Sequence, residues 1–107
     1  MTTLRRAARL SRSRREMLVW RSGDVPVRDA AAELIEGEDQ AVVRCQGHTL
    51  RLDHLGLQVW PLLDGTRSAP TVARLVAERE DTDVLVTALE VHRVLEELAG
   101  IGAVRWV

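Results

Sequence analysis

Apolar positions along the chain change their spacing once, near Asp53, and the change divides it into a strand-rich half and a helical half. Before that point the period is two. Ala41, Val43 and Cys45 alternate with Val42, Arg44 and Gln46, and Leu50 and Leu52 alternate with Thr49, Arg51 and Asp53. A period of two puts one face of each strand against a core. Gln46-Gly47 between the two runs is a tight-turn pair, so together they read as a hairpin. Ala32 to Glu36 supplies a shorter first strand, which its alanines could equally make helical, and Gly37-Glu38-Asp39 closes it with turn residues.

Beyond Asp53 the spacing becomes helical. Asp53 suits the N-cap of a helix from His54 to about Leu63, with Leu55, Val59, Leu62 and Leu63 inward and Asp64-Gly65 as the stop. Pro61 removes a donor inside this helix and crowds the carbonyl four residues back, which predicts a kinked or tightened last turn. A second helix begins near Pro70 and carries Val72, Leu75 and Val76 to about Arg79. A third runs from Asp81 or Thr82 to Ala99 and ends at Gly100, its seam formed by Val84, Ala88, Val91, Leu95 and Leu98. Ala103 to Val107 can return as a short strand. The predicted architecture is α+β and winged-helix-like, a three-stranded antiparallel sheet followed by three helices.

Composition sets the scale: 107 residues, 46% apolar and 29% charged, make one compact domain. The net charge of −1 hides an asymmetry, since residues 1–21 hold seven arginines against Glu16 while the remainder holds eight arginines against fifteen acids. Residues 1–26 therefore read as a basic, mobile arm and linker ending in Ser22-Gly23-Asp24-Val25-Pro26, and residues 27–107 as the folded unit. No apolar run approaches the roughly 18 to 20 residues that span a bilayer, and Met17 to Trp20 is too short for a secretion signal, which predicts a cytoplasmic protein away from membranes.

Catalytic chemistry finds no foothold in the sequence. The single thiol, Cys45, cannot form an internal disulfide, and its inward register beside Val43 predicts an inert buried group. His48, His54 and His92 lack chelating spacings, so no metal and no cofactor is expected. Neither paired carboxylates nor a glycine-rich phosphate loop is present, and the expectation is a protein that is not an enzyme.

Leu50-Arg51-Leu52-Asp53-His54-Leu55-Gly56, followed by Val59-Trp60-Pro61-Leu62-Leu63-Asp64-Gly65, resembles the PqqD-like family of RiPP recognition elements, which bind precursor peptides. Thr71-Val72 in the second helix and Leu95-Glu96-Glu97-Leu98-Ala99-Gly100 at the end of the third continue the family order, so the resemblance covers roughly Ala32 to Val104. Asp53 where asparagine is frequent, Leu55 where threonine or alanine is common, and the interrupting Pro61 mark a divergent member.

The resemblance implies a non-catalytic adaptor. Such domains capture the leader of a ribosomally synthesised precursor peptide and present it to a separate maturation enzyme, often a radical SAM protein, a cyclodehydratase or a leader protease. It also implies that the leader adds as an antiparallel strand beside the third strand and packs into the groove between that third strand and the third helix. The residues agree with this: an edge strand over His48, Thr49, Leu50, Arg51 and Leu52 offers unpaired backbone groups guarded only by Arg51, which could meet an acidic leader residue. Leu50 and Leu52 serve the core in any reading, leaving their backbone for the peptide. A second apolar stripe on the third helix, Leu85 and Leu89 continuing to His92, could floor the groove. The same free edge leaves homodimer formation open.

The rival reading is a winged-helix nucleic-acid-binding regulator, suggested by the topology and the basic arm. Its recognition helix would carry Asp83, Glu90, Glu96 and Glu97 against Arg93 alone, the wrong sign for phosphate.

Overall fold

The protein is described here by a computed structural model covering residues 25–107. The basic arm expected over residues 1–26 lies outside the described residues except for Val25 and Pro26. In chain order the elements are β1 (Pro26–Arg28), β2 (Glu33–Glu36), β3 (Ala41–Cys45), β4 (His48–Leu52), α1 (His54–Val59) with a 3-10 turn (Trp60–Leu62), α2 (Ala69–Glu80), α3 (Val84–Gly100) and β5 (Val104–Trp106).

β2, β3 and β4 form an antiparallel meander in which β4 is an outer strand, and the three helices follow it, as the pattern predicts. Ala41, Val43 and Cys45 point inward and are almost fully buried. The β3–β4 turn is Gln46-Gly47, both with positive φ (52° and 84°), the conformation that matches the right-handed twist of a hairpin. Cys45 is buried, and its Sγ lies 3.5 Å from the Gly102 carbonyl, joining the hairpin end to the turn after α3.

The helices depart from the sequence reading at their ends. α1 stops at Val59 and continues as the 3-10 turn at Trp60–Leu62, because Pro61 has no N–H to extend the α-helical ladder; Leu63 N–H donates to the Trp60 carbonyl instead, at 3.2 Å. Asp81, expected at the start of the third helix, terminates α2 in a left-handed conformation (φ 53°). The N-cap of α3 is Asp83, whose carboxylate accepts from the Leu85 and Val86 amides at 2.9 and 3.1 Å. Starting later, α3 leaves Val84 half exposed and outside the seam, while Ala88, Val91, Leu95 and Leu98 are buried as predicted.

Pro26, which confines any strand containing it to an edge or an extended link, opens the edge strand β1, which pairs with β5 in a separate two-stranded ribbon, with Val27 opposite Arg105. Proline is tolerated at a first strand position, where its missing N–H breaks no interior ladder. The ribbon is tied to the helical layer through Arg28 N–H to the Leu63 carbonyl (3.0 Å) and a bridge between Val27 and Asp64. Arg28 also places its guanidinium 5.7 Å from the centre of the Trp60 ring.

The core lies between the inner face of the meander and the helices. Val43, Val59, Leu63, Val72, Val91, Leu95 and Leu98 are fully enclosed there, with Trp60 and Leu62 beside them. No helix among the described residues is long and apolar enough to cross a membrane.

Candidate functional site

Among the described residues no strand pairs with the outer side of β4, and the register of the hairpin decides which of its groups face that side. Cys45 is opposite His48 across a two-residue turn, Val43 opposite Leu50 and Ala41 opposite Leu52. Such a turn closes on a hydrogen-bonded pair, and bonded and non-bonded pairs then alternate along the ladder. The backbone of Leu50 and Leu52 is thereby engaged with β3, whereas the N–H and C=O of Thr49 and Arg51 point to the open side. This corrects the expectation that Leu50 and Leu52 would lend their backbone to a peptide: Thr49 and Arg51 carry the free groups, and the two leucines face the protein interior. Leu52 is buried and Leu50 packs against the core. The opposite outer strand, β2, carries Glu33 and Glu36, and charged residues are a common guard against strand addition.

Beside the last residues of β4 the surface opens into a cavity of about 650 Å³. Its apolar lining comes from Leu52, Leu57 and Val94; its rim is formed by Arg51, Asp53, Arg93, Glu97 and the β2–β3 turn from Glu36 to Gln40. Three local features hold this shape. Asp53 caps α1, accepting from the Gly56 amide at 2.8 Å. Gly56 permits α1 to lie against β4, since a Cβ there would stand 3.0 and 3.1 Å from Leu52 side-chain carbons. Arg93 then ties α3 to the cap, reaching Asp53 at 3.3 Å, Glu97 at 3.1 Å and Glu90 at 3.5 Å. Partial burial works against the guanidinium charge, but Glu97, Asp53 and Glu90 outweigh it and hold the Arg93 pKa above its ordinary value.

The eight residues singled out from the sequence fall into two groups. His48, Thr49, Leu50, Arg51 and Leu52 form the open strand, with Arg51 and Leu52 at the cavity. Leu85, Leu89 and His92 are not part of the cavity lining. At about 100° per residue, Leu85 and His92 project roughly 160° to 180° around α3 from Val94. Leu85 and Leu89 are 58% and 39% exposed, whereas His92 is buried with its Nε2 3.3 Å from Glu96. Leu85 and Leu89 thus lie on an exposed flank of α3, and the apolar floor of the cavity beside β4 comes from Leu52, Leu57 and Val94. The sequence signal for the α3 side of this cavity is Arg93, the one arginine or lysine on α3, spaced three and four residues from Glu90 and Glu97.

Among the described residues no group of histidine, cysteine and acidic side chains is arranged to hold a metal ion. The site offers backbone hydrogen bonds, apolar surface and charge, the means by which a sheet edge accepts an extended peptide.

No family model matches the chain, and no curated protein matches it. A solved structure does. The solution NMR structure of the PqqD truncation of Methylobacterium extorquens PqqCD, a functional and stand-alone RiPP recognition element, matches with a TM-score of 0.67 and 22% identity, over 84% of this chain and 98% of that one. The fold is therefore that of the PqqD recognition element, the α+β arrangement that the sequence resemblance implied.

Proposed function

We propose that this chain is a non-catalytic adaptor that captures the leader of a ribosomally synthesised precursor peptide and presents it to a separate maturation enzyme. The leader adds to β4 as an antiparallel strand, bonds to the backbone of Thr49 and Arg51, and lays its inward side chains into the cavity beside Leu52, Leu57 and Val94. Residues 27–107 form the binding unit, and the protein works in the cytoplasm. The partner enzyme is of the radical SAM, cyclodehydratase or leader-protease kind.

The observation that carries this reading is a free strand edge running into a cavity walled by the third helix, in a fold shared with a recognition element. The energetics suit a carrier that must also release. About four strand hydrogen bonds contribute roughly 0.5 to 1.5 kcal/mol each, and one or two buried leader side chains roughly 1.5 to 3 kcal/mol each. Set against the cost of ordering a flexible peptide, they support a dissociation constant on the order of micromolar. Nucleic-acid binding draws no support from α3, whose exposed acids Glu90, Glu96 and Glu97 outnumber Arg93, itself already held by carboxylates.

The test is a fluorescence-anisotropy titration with the labelled leader of the precursor encoded beside this chain's gene, with duplex DNA as competitor. Saturable binding that ignores DNA and is lost in Thr49→Pro is expected. Proline there removes an outward N–H and blocks the edge without breaking a bond to β3. Absence of leader binding, or displacement by DNA, would overturn the reading.

A further inference from the structure

The strand edge and cavity define where a peptide lies; the charge around them defines what kind of peptide it is. Glu36, Glu38, Asp39, Asp53 and Glu97 line the cavity against Arg51 and Arg93, so carboxylates outnumber guanidiniums by three. The charges are not equivalent. Asp53 and Glu97 are held by Arg93, whereas Glu36, Glu38 and Asp39 form no ion pair with any described residue and are exposed. Arg51 is likewise exposed and without an ion pair among the described residues, where it is the one such guanidinium lining the cavity with that group.

The acids also have a fixed place along the strand. Glu36 is opposite Ala41, and Ala41 is opposite Leu52, which sets the β2–β3 turn beside the C-terminal end of β4. A segment antiparallel to β4 would begin at that end and leave past His48 at the other. Its N-terminal residues would therefore meet the free carboxylates.

From this we propose that the occupant is a cationic peptide, with arginine or lysine in the N-terminal half of the docked strand and apolar residues following. The inference rests on strand addition at β4 and reverses the simpler expectation, based on Arg51, of an acidic partner residue. Charge of this kind sets selectivity and encounter rate, while the backbone bonds and the apolar floor supply most of the affinity. A partner enzyme using the same leader would then find its basic end at the rim.

The experiment uses a display library of random twelve-residue peptides panned against three forms of the full chain: wild type, Thr49→Pro, and the triple variant Glu36→Gln, Glu38→Gln, Asp39→Asn. These three acids are exposed turn or strand-end residues outside the Arg93 cluster, and far-UV circular dichroism checks that each variant folds. Wild type should recover peptides that Thr49→Pro does not, with basic residues enriched about threefold or more over the input in their N-terminal half. The triple variant should lose that enrichment and bind a selected basic peptide about tenfold more weakly, exposed ion pairs being individually modest. Edge-dependent peptides with no basic enrichment would overturn the charge inference and leave strand addition standing. Recovery of no edge-dependent peptide, or a dimer of the chain that Thr49→Pro dissociates, would overturn both.

Discussion

The two flanks of α3 differ in sequence and in what they face. One, through Val94 and Glu97 with Arg93 at its border, closes a cavity against β4 and α1. The other, through Leu85 and Leu89, carries the more apolar side chains and meets solvent. Apolarity alone does not place a side chain in the cavity beside the strand edge, whose wall is built of mixed charge over a small apolar floor. The buried seam between the flanks belongs to neither.

The comparison breaks most sharply at that seam. Leu98→Ala should cost about 2 to 5 kcal/mol, the range for emptying a fully enclosed leucine site. Leu85→Ala on the exposed flank should stay within about 0.5 kcal/mol. Chemical denaturation with the slope held common distinguishes the two, and a comparable cost for both would mean the exposed flank is packed in solution.

Binding separates the flanks next. Leu57→Gln on the cavity floor should weaken leader binding about tenfold to a hundredfold, the equivalent of losing one buried apolar contact. Leu89→Gln should change it by less than about twofold. The reverse order in parallel titrations would move the groove to the other side of the helix.

Arg93 sharpens the picture at lower cost. Its ion pairs are partly exposed, so Arg93→Ala should lower stability by less than about 1 kcal/mol. By releasing Asp53 and Glu97 it should raise affinity for a basic peptide about twofold to threefold, read in the same titration at low salt. Unchanged affinity would separate the charge of the rim from recognition.

Asp64 is a control remote from both flanks. Hydrogen bonds from the Thr66 hydroxyl and amide, helped by Arg67, hold its carboxyl below the ordinary carboxylate pKa. A group whose folded pKa is depressed adds stability above its unfolded value, about 3.9, and loses it as pH falls through the lower folded value. Asp64→Asn should therefore lower the melting temperature slightly at neutral pH, with the difference vanishing in acid and leader binding unchanged.

Much of this architecture was legible because local signals agreed with the global fold. The change of period at Asp53, the Gln46-Gly47 turn and the buried seam of α3 each have one structural solution, and the resemblance pointed to the same fold. Less of the site was legible. The edge strand was read correctly, but which of its amides are free depends on register, which Cys45 and His48 settle only once paired. β1 escaped notice because its partner, β5, lies at the far end of the chain and a proline opens it. That Leu85 and Leu89 lie outside the cavity beside β4 follows from where α1 and β4 pack, a matter of tertiary contact that periodicity along α3 does not encode.

The central claim is that β4 receives a peptide strand through Thr49 and Arg51, and amide hydrogen exchange resolved by NMR, with and without the leader, tests it directly. Strand addition should give new protection at the Thr49 and Arg51 amides, with Leu50 and Leu52 already protected by β3 and little changed. Leader binding that leaves Thr49 and Arg51 exchanging as before, and perturbs the Leu85 and Leu89 flank instead, would contradict it.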